Sequence, residues 1–264
     1  MAKVKEIRNF FEEKVPSYMK LDFDNVGMLV GFCDAEVHRA IVALDITGAV
    51  IEEASEAGAE LILSHHPFIF DPLKRITDDD IKGRNIIRMI RSGISAICLH
   101  TNLDTAEGGV NDCLMAALGI CASALLDSHG THPDGRAFGI GRIGELPSPI
   151  DFDEFLIRTK QRLHSDGLRY VSGGKPVRRI ACCGGAGGSE LRKAAAAGCD
   201  TYVTADLKYD HFLEAKELGL NLIDADHFCT ENVVTPHLKA LLNEGFPEID
   251  AKVSAVHRQT IRFL

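Results

Sequence analysis

The chain is organised around the stretch Ala59-Glu60-Leu61-Ile62-Leu63-Ser64-His65-His66-Pro67. Its apolar residues follow Gly58 and predict a buried parallel strand that is entered from the C-terminal end of a helix. Pro67 ends this strand and favours an extended conformation at His66. Neighbouring side chains on an extended chain point to opposite sides, so the two imidazoles could reach two ions or two sides of one cavity.

Histidines at this place suggest a metal site, because open α/β sheets bind ligands at the carboxyl ends of their strands. Imidazole is also a common ligand for zinc-like ions. An isolated His-His pair is more often a loop residue beside a surface residue. The metal interpretation therefore depends on finding further ligands at other strand ends.

The composition fits one large or two medium α/β domains, with 264 residues of which 45% are hydrophobic and 25% charged. A net charge of −9 argues against nucleic acid or an anionic membrane as the main partner. The longest apolar run, Cys113–Leu126, is shorter than the ~20 residues of a spanning helix. Eight cysteines without a Cys-x-x-Cys pair predict free thiols in a reducing compartment, and the charged N-terminus lacks a signal-peptide pattern. We therefore predict a cytoplasmic protein.

A strand–helix–strand–helix–strand pattern occurs twice along the chain. Its first strands are Arg39–Leu44 and Arg179–Cys183, and glycines at matching places, Gly58 and Gly198, precede its second strands. We interpret this recurrence as an internal duplication. The alternative is that any βαβ chain looks self-similar, and the two segments share few identities.

The predicted fold is α/β, with two duplicated halves that form one compact unit. The first half covers residues 1–126 and the second covers residues 151–264. Between them, residues 127–150 are rich in glycine, histidine and proline and are interpreted as a connection with one strand, Phe138–Ile143.

Further candidate ligands follow other predicted strands. Asp104 comes after the strand 94–99, and His227 and Glu231 come after the strand 220–223. His227 and Glu231 are four residues apart on a helix predicted to run to about Asn243, which places both side chains on one face. Taken singly, Asp104 could be an N-cap, and the other two a stray histidine and an acid near a helix start.

Together the candidate ligands are nitrogen and oxygen donors without a thiolate, which favours zinc, manganese, iron or magnesium. They are too many for one catalytic zinc ion. They suit two divalent ions about 3.5–4 Å apart and bridged by a carboxylate. The set is His65, His66, Asp104, His227 and Glu231. Six other histidines are interpreted as surface or loop residues: His38, His129, His132, His164, His237 and His257.

The glycine-rich run Gly184–Ser189 follows a strand and opens a helix. Its backbone amides could cradle an anion. A tight turn packed under the metal cavity is an equally good interpretation, because the run matches neither the dinucleotide fingerprint nor the P-loop spacing.

Four blocks of this sequence resemble the NIF-three-like family, also called GTP cyclohydrolase I type 2 homologues. They are Asp24-Asn25-Val26-Gly27, Ser64-His65-His66-Pro67, His100-Thr101-Asn102-Leu103-Asp104, and His227 with Glu231. The resemblance covers nearly the whole chain in the right order. It implies two intertwined three-layer α/β/α halves, a dinuclear metal site and a ring-shaped homohexamer whose sites face an interior cavity.

The resemblance also implies roles for the ligands. It makes Glu231 the bridging ligand and the other four candidates terminal ligands. The chain is too short for the extra domain that longer members insert between the halves. It departs from the family at Phe23, where many relatives have tryptophan, and at Asp226 and Phe228, where glycine and tyrosine are common.

Two functions of different classes fit these observations. The first is a metal-dependent hydrolase of a nucleotide or other small phosphorylated compound, and a cyclohydrolase would direct hydroxide at the purine carbon between the two imidazole-ring nitrogens. The second is a non-catalytic ring that stores or delivers metal or scaffolds protein partners. His100 or Asp45 could orient the ligands, or could only cap loops. The sequence identifies no catalytic acid or base.

Overall fold

The computed structural model describes residues 2–264 as alternating strands and helices, which confirms the α/β class. The strands are β1 (Ala2–Lys3), β2 (Gly27–Val30), β3 (Glu36–Val37), β4 (Arg39–Ala43), β5 (Leu61–Ser64), β6 (Ser95–Cys98), β7 (Ala122–Thr131), β8 (Ala137–Ile150), β9 (Arg169–Val171), β10 (Val177–Cys182), β11 (Thr201–Thr204), β12 (Asn221–Asp224) and β13 (Asp250–Val253). The helices are α1 (Val4–Lys14), α2 (Gly48–Glu56), α3 (Ile81–Arg91), α4 (Thr101–Thr105), α5 (Val110–Ala117), α6 (Phe152–Arg162), α7 (Leu191–Ala196), α8 (Tyr209–Leu218), α9 (His227–Glu231) and α10 (Thr235–Gly245).

The chain folds into two compact units, and each unit is built from two separate segments of the chain. The first unit runs to Leu103 and resumes from Thr235 to Arg258, and the second comprises Asp104–Val234 and Gln259–Leu264. These bounds differ from the predicted division at residues 127–150. The difference arises because β13, near the end of the chain, pairs in parallel with β4 and thereby completes the first sheet.

The first unit is built on a five-stranded sheet in the order β13-β4-β5-β6-β2. Strands β13, β4, β5 and β6 are parallel, and β2 pairs antiparallel with β6. All four residues of β5 are buried, as expected of a central strand with both faces covered. Helices α2 and α3 pack on one face through Val50, Ile51, Ala54, Ile86 and Met89. The carboxyl ends of β5 and β6 thus lie side by side.

The second unit is built on a six-stranded sheet in the order β7-β8-β10-β11-β12-β9, in which β10, β11 and β12 are parallel. Each face has its own apolar core. One core joins the sheet to α5 and α6 through Leu114, Met115, Phe152, Phe155, Ile180, Val203 and Ile223. The other joins it to α7 and α8 through Leu191, Ala194, Ala215, Ala181, Tyr202 and Leu222. This unit is therefore a three-layer α/β/α structure.

The predicted recurrence of elements is confirmed in order and strand direction. Each unit contains three parallel strands linked by two helices, β4 to β6 in the first and β10 to β12 in the second. Gly58 and Gly198 both have positive φ, +62° and +74°, at the turn between a helix and the next strand. Glycine adopts this conformation without strain, which explains its presence at both turns. The strand-by-strand superposition of the two segments stays a prediction.

Residues 127–150 do not form a simple connection. They supply half of β7 and the whole of β8, and these two long strands pair antiparallel at the edge of the second sheet. The glycines that suggested a loop are needed where backbones approach closely. A Cβ atom at Gly139 would lie 1.9 Å from the Asp127 carbonyl oxygen.

The helix predicted from His227 to about Asn243 is interrupted. Helix α9 ends at Glu231, a 3-10 turn covers Asn232–Val234, and α10 then begins. Pro236 explains the break, because it has no backbone N–H to continue the helical hydrogen bonds. All eight cysteines are free thiols, as predicted. Within residues 2–264, no helix combines the length and apolar character needed to cross a bilayer.

Candidate metal centre

Three histidines of the first unit form one cluster at the carboxyl ends of two adjacent strands. His65 and His66 follow β5, and His100 follows β6, whose last residue pairs with that of β5. The cluster has ring nitrogens from all three residues within 4.8 Å of one another. The rings of His65 and His66 are neighbours, with centroids 4.9 Å apart. These residues could hold a metal ion.

The Nδ1 atom of each clustered imidazole contacts an oxygen. His65 Nδ1 lies 2.8 Å from the Leu99 carbonyl oxygen. His66 Nδ1 lies 2.6 Å from Asp45 Oδ1, and His100 Nδ1 lies 2.8 Å from Asp24 Oδ1. Carbonyl and ionised carboxylate oxygens only accept hydrogen bonds, so each Nδ1 carries the proton. Nε2 is then the nitrogen whose lone pair can bind a cation.

Asp24 holds His100 from a buried position, 7% exposed. Its carboxylate accepts hydrogen bonds from His100, from the Thr101 amide at 2.9 Å and from the Thr101 hydroxyl at 2.5 Å. Burial alone would raise the pKa of Asp24, but these hydrogen bonds outweigh burial and hold the pKa well below its usual range. The carboxylate is therefore charged at neutral pH.

We expect Asp24→Asn to destabilise the metal-free protein by about 1.5–3 kcal/mol at pH 7, the range for hydrogen bonds to a charged group. A carboxylate whose pKa is lower in the folded state stabilises the folded protein at pH values above its unfolded-state pKa of about 4. This stabilisation is lost as the pH falls through the folded-state pKa. The difference in unfolding free energy should therefore be constant from about pH 5 to pH 7 and shrink below about pH 4. Urea titrations of the variant and the parent protein at pH values across this range measure the difference.

The matched control for this experiment is Asp71→Asn, which changes an exposed aspartate. It should leave the unfolding free energy nearly unchanged at every pH. A difference for Asp24→Asn that grows as pH falls would contradict the assignment.

Asp45 holds His66 and a second histidine. Its other carboxylate oxygen lies 3.0 Å from Nε2 of His257, which follows β13. Burial alone would raise the pKa of Asp45, but the hydrogen bonds from His257 and His66 keep it well below its usual range. His257 does lie in a loop, as predicted, but its contact with Asp45 joins positions 212 residues apart in sequence. No local pattern could have revealed that contact.

The second unit holds the other three predicted ligands. Glu231, 4% exposed at the end of α9, lies 2.9 Å from His227 through Oε2 and Nε2. A carboxylate oxygen of Asp104, on α4, lies within 4.8 Å of one of Glu231. His227 Nδ1 lies 2.7 Å from Asp206 Oδ2, so this imidazole is also held through Nδ1.

His227 lies between two carboxylates. Burial alone would lower the pKa of His227, but its contacts with Glu231 and Asp206 outweigh burial and raise the pKa to about 9. A site that stabilises a protonated imidazole so strongly favours positive charge. The same negative surroundings would stabilise a bound cation.

Two aspartates near His227 have unusual backbone conformations. Asp206 and Asp226 have positive φ, 51° and 75°, which costs a non-glycine residue of order 1–3 kcal/mol. Asp226 caps α9 by accepting a hydrogen bond from the Cys229 amide at 3.1 Å, and it also accepts one from the Gln259 side chain. These contacts maintain the strained conformation immediately before His227.

The glycine-rich run packs against Glu231. The amides of Gly184, Gly185 and Gly187 each donate to a side-chain oxygen at 3.0 Å, and their acceptors are Asn111, Thr230 and Thr204. Gly185 has a φ of +62°, and a Cβ atom there would lie 2.1 Å from Glu231 Oε1. These contacts favour the tight-turn interpretation over an anion cradle.

Comparisons with known proteins agree with this architecture. The model of the family described as Duf34/NIF3 (NGG1p interacting factor 3) matches residues 2–261. A GTP cyclohydrolase 1 type 2 homolog of Clostridium perfringens is 37% identical over 230 residues, with 87% of each chain covered. A Bacillus cereus protein related to NIF3 has a TM-score of 0.93 at 25% identity, covering 100% of this chain and 99% of that one. Staphylococcus aureus protein SA1388 has a TM-score of 0.92 at 27% identity, covering 100% and 99%. The predicted fold is confirmed.

Proposed function

The chain belongs to the Duf34/NIF3 family, as its four sequence blocks predicted, and from this premise we propose that it is a cytoplasmic dinuclear metal-binding hydrolase. The substrate class is a nucleotide-like or other phosphorylated small molecule. The ligands are His65, His66, Asp104, His227 and Glu231.

The observation that carries the proposal is the way the imidazoles are held. Four histidines each contact an oxygen through Nδ1, at distances between 2.6 and 2.8 Å. Metal-binding histidines are usually held in this way, because the contact fixes the tautomer and aims Nε2 at the ion. Three of these four histidines are proposed ligands, and the fourth, His100, belongs to the same cluster as His65 and His66.

The donor types and their order along the chain support two ions. The proposed ligands offer imidazole nitrogens and carboxylate oxygens, which suit zinc, iron, manganese or magnesium. Only three residues separate His100 from Asp104 in the sequence, so the histidine cluster and the first carboxylate ligand are close along the chain. A carboxylate has two oxygens, and we assign the buried Glu231 as the ligand shared by both ions.

When bound, a pair of divalent ions supplies a hydroxide nucleophile near neutral pH and offsets charge on phosphate oxygens. The protein's own residues keep the ligands in place. Asp45 and Asp24 orient His66 and His100, and Asp206 orients His227. The matching relatives are named for GTP, which supports a purine nucleotide as substrate.

The decisive experiment is anaerobic purification with elemental analysis, followed by incubation with a nucleotide panel read by mass spectrometry. The proposal expects about two ions per chain and a hydrolysed product that is absent after metal is removed with a chelator. Bound metal without turnover of any nucleotide would instead favour a non-catalytic ring that stores or delivers metal. Absence of bound metal would exclude both.

We also propose that the chain assembles as a homohexamer. Large side chains remain exposed around the edge strand β9, including Ile157 at 59%, Tyr170 at 55%, Tyr209 at 76% and Leu213 at 52%. Exposed apolar patches of this kind mark protein–protein contacts. Light scattering should give six times the mass of one chain, and Tyr170→Asp should lower that mass. A monomer mass for the parent protein at working concentration would contradict the hexamer.

A further inference from the structure

Two exposed phenylalanines of the first unit pair with each other beside the histidine cluster. Phe23 is 66% exposed and Phe70 is 43% exposed. Their ring centroids lie 6.2 Å apart with an interplanar angle of 60°. Such a pair leaves much of its apolar surface uncovered within its own unit, although burial of aromatic side chains is strongly favourable.

The pair is fixed relative to the cluster. The Phe70 ring meets the His100 ring edge-on, with centroids 6.1 Å apart. Asp24, the neighbour of Phe23 in sequence, is the carboxylate that holds His100. The Asn25 side chain donates to the carbonyl oxygen of Ile69, the neighbour of Phe70, at 2.7 Å. Hydrogen bonds of the residues next to Phe23 and Phe70 therefore hold both rings near the cluster.

We propose that Phe23 and Phe70 form a stacking platform that binds the planar heterocyclic ring of the substrate beside the His65–His66–His100 cluster. The assignment rests on the proposed function and specifies how that site recognises its substrate. Aromatic side chains bind nucleobases by stacking, because every base presents a π face. Neither phenylalanine carries charge or a hydrogen-bonding group, so the platform selects flat rings and leaves the phosphate to other groups.

The test compares two probes that differ only in the base. Calorimetry measures binding of guanosine 5′-monophosphate and ribose 5-phosphate to the parent protein, Phe23→Ala and Phe70→Ala. Each substitution removes one stacking face, so it should weaken nucleotide binding roughly tenfold and leave ribose 5-phosphate binding unchanged. Phe32→Ala is the matched control, since Phe32 is 45% exposed in the same unit. It should bind both probes like the parent protein.

Nuclear magnetic resonance gives a second readout, because stacking on a ring shifts the purine H8 signal upfield. The proposal is overturned if the parent protein binds both probes equally or not at all. It is also overturned if the preference for the nucleotide survives in both platform variants, or if they change the oligomer mass instead. Elemental analysis of the same samples reports on the proposed function separately: intact metal content with no stacking preference rejects the platform alone.

Discussion

Replacing Glu231 by glutamine should remove both bound ions together. The substitution keeps the side-chain volume but removes the charge that offsets two cations. Two like charges a few ångströms apart repel strongly in a partly desolvated cavity, so losing the shared carboxylate should destabilise both ions. Elemental analysis of the purified variant should therefore fall from about two ions per chain toward none, without a species that holds one ion.

Two variants complete this experiment. His66→Ala removes a ligand proposed to contact only one ion, so it should spare the other. Glu190→Gln changes another buried glutamate, 7% exposed and paired with Lys193, and should keep both ions. If Glu231→Gln retained two tightly bound ions, the shared ligand would have to be another residue.

Gly185→Ala should also abolish metal binding, although it changes no proposed ligand. Its Cβ atom would lie 2.1 Å from Glu231 Oε1, so the carboxylate has to move. The residue would also occupy a positive φ, which costs alanine roughly 1–2 kcal/mol. We expect lost metal by elemental analysis, together with a lower unfolding free energy by urea titration.

Gly174→Ala separates these two effects. Gly174 has a φ of +79°, but a Cβ atom there would have nothing within 4 Å. This variant should therefore lose a similar amount of stability from backbone strain and keep its metal. Equal metal content in Gly185→Ala and Gly174→Ala would show that Glu231 does not depend on the space left by Gly185.

The sequence predicts the parts of the site that local patterns encode. An apolar run followed by His65 and His66 predicts a strand end with ligands, and the spacing of His227 and Glu231 predicts a shared helical face. The structure places the histidine pair directly after β5 and places His227 and Glu231 on α9, as expected. His100 was considered only as an orienting residue, yet it belongs to the same cluster as the histidine pair.

The residues that hold the imidazoles could not be predicted in the same way. Asp24 reaches His100 over 76 positions, and Asp45 reaches His257 over 212. Such contacts depend on which strands become neighbours, and spacing along the chain contains no signal of that. The hairpin of β7 and β8 was missed for a related reason, because glycines required by close backbone contact resemble loop glycines in a sequence.

Asp226 shows how folding and site geometry set opposing demands on one residue. Glycine would adopt its φ of +75° freely, because it has no Cβ atom. The aspartate instead keeps a carboxylate that caps the helix bearing His227 and Glu231. Selection for thermostability alone would favour glycine at position 226. Selection for a well-ordered helix that carries the proposed ligands would retain aspartate. Position 226 is thus a point where thermostability and activity are expected to evolve in opposite directions.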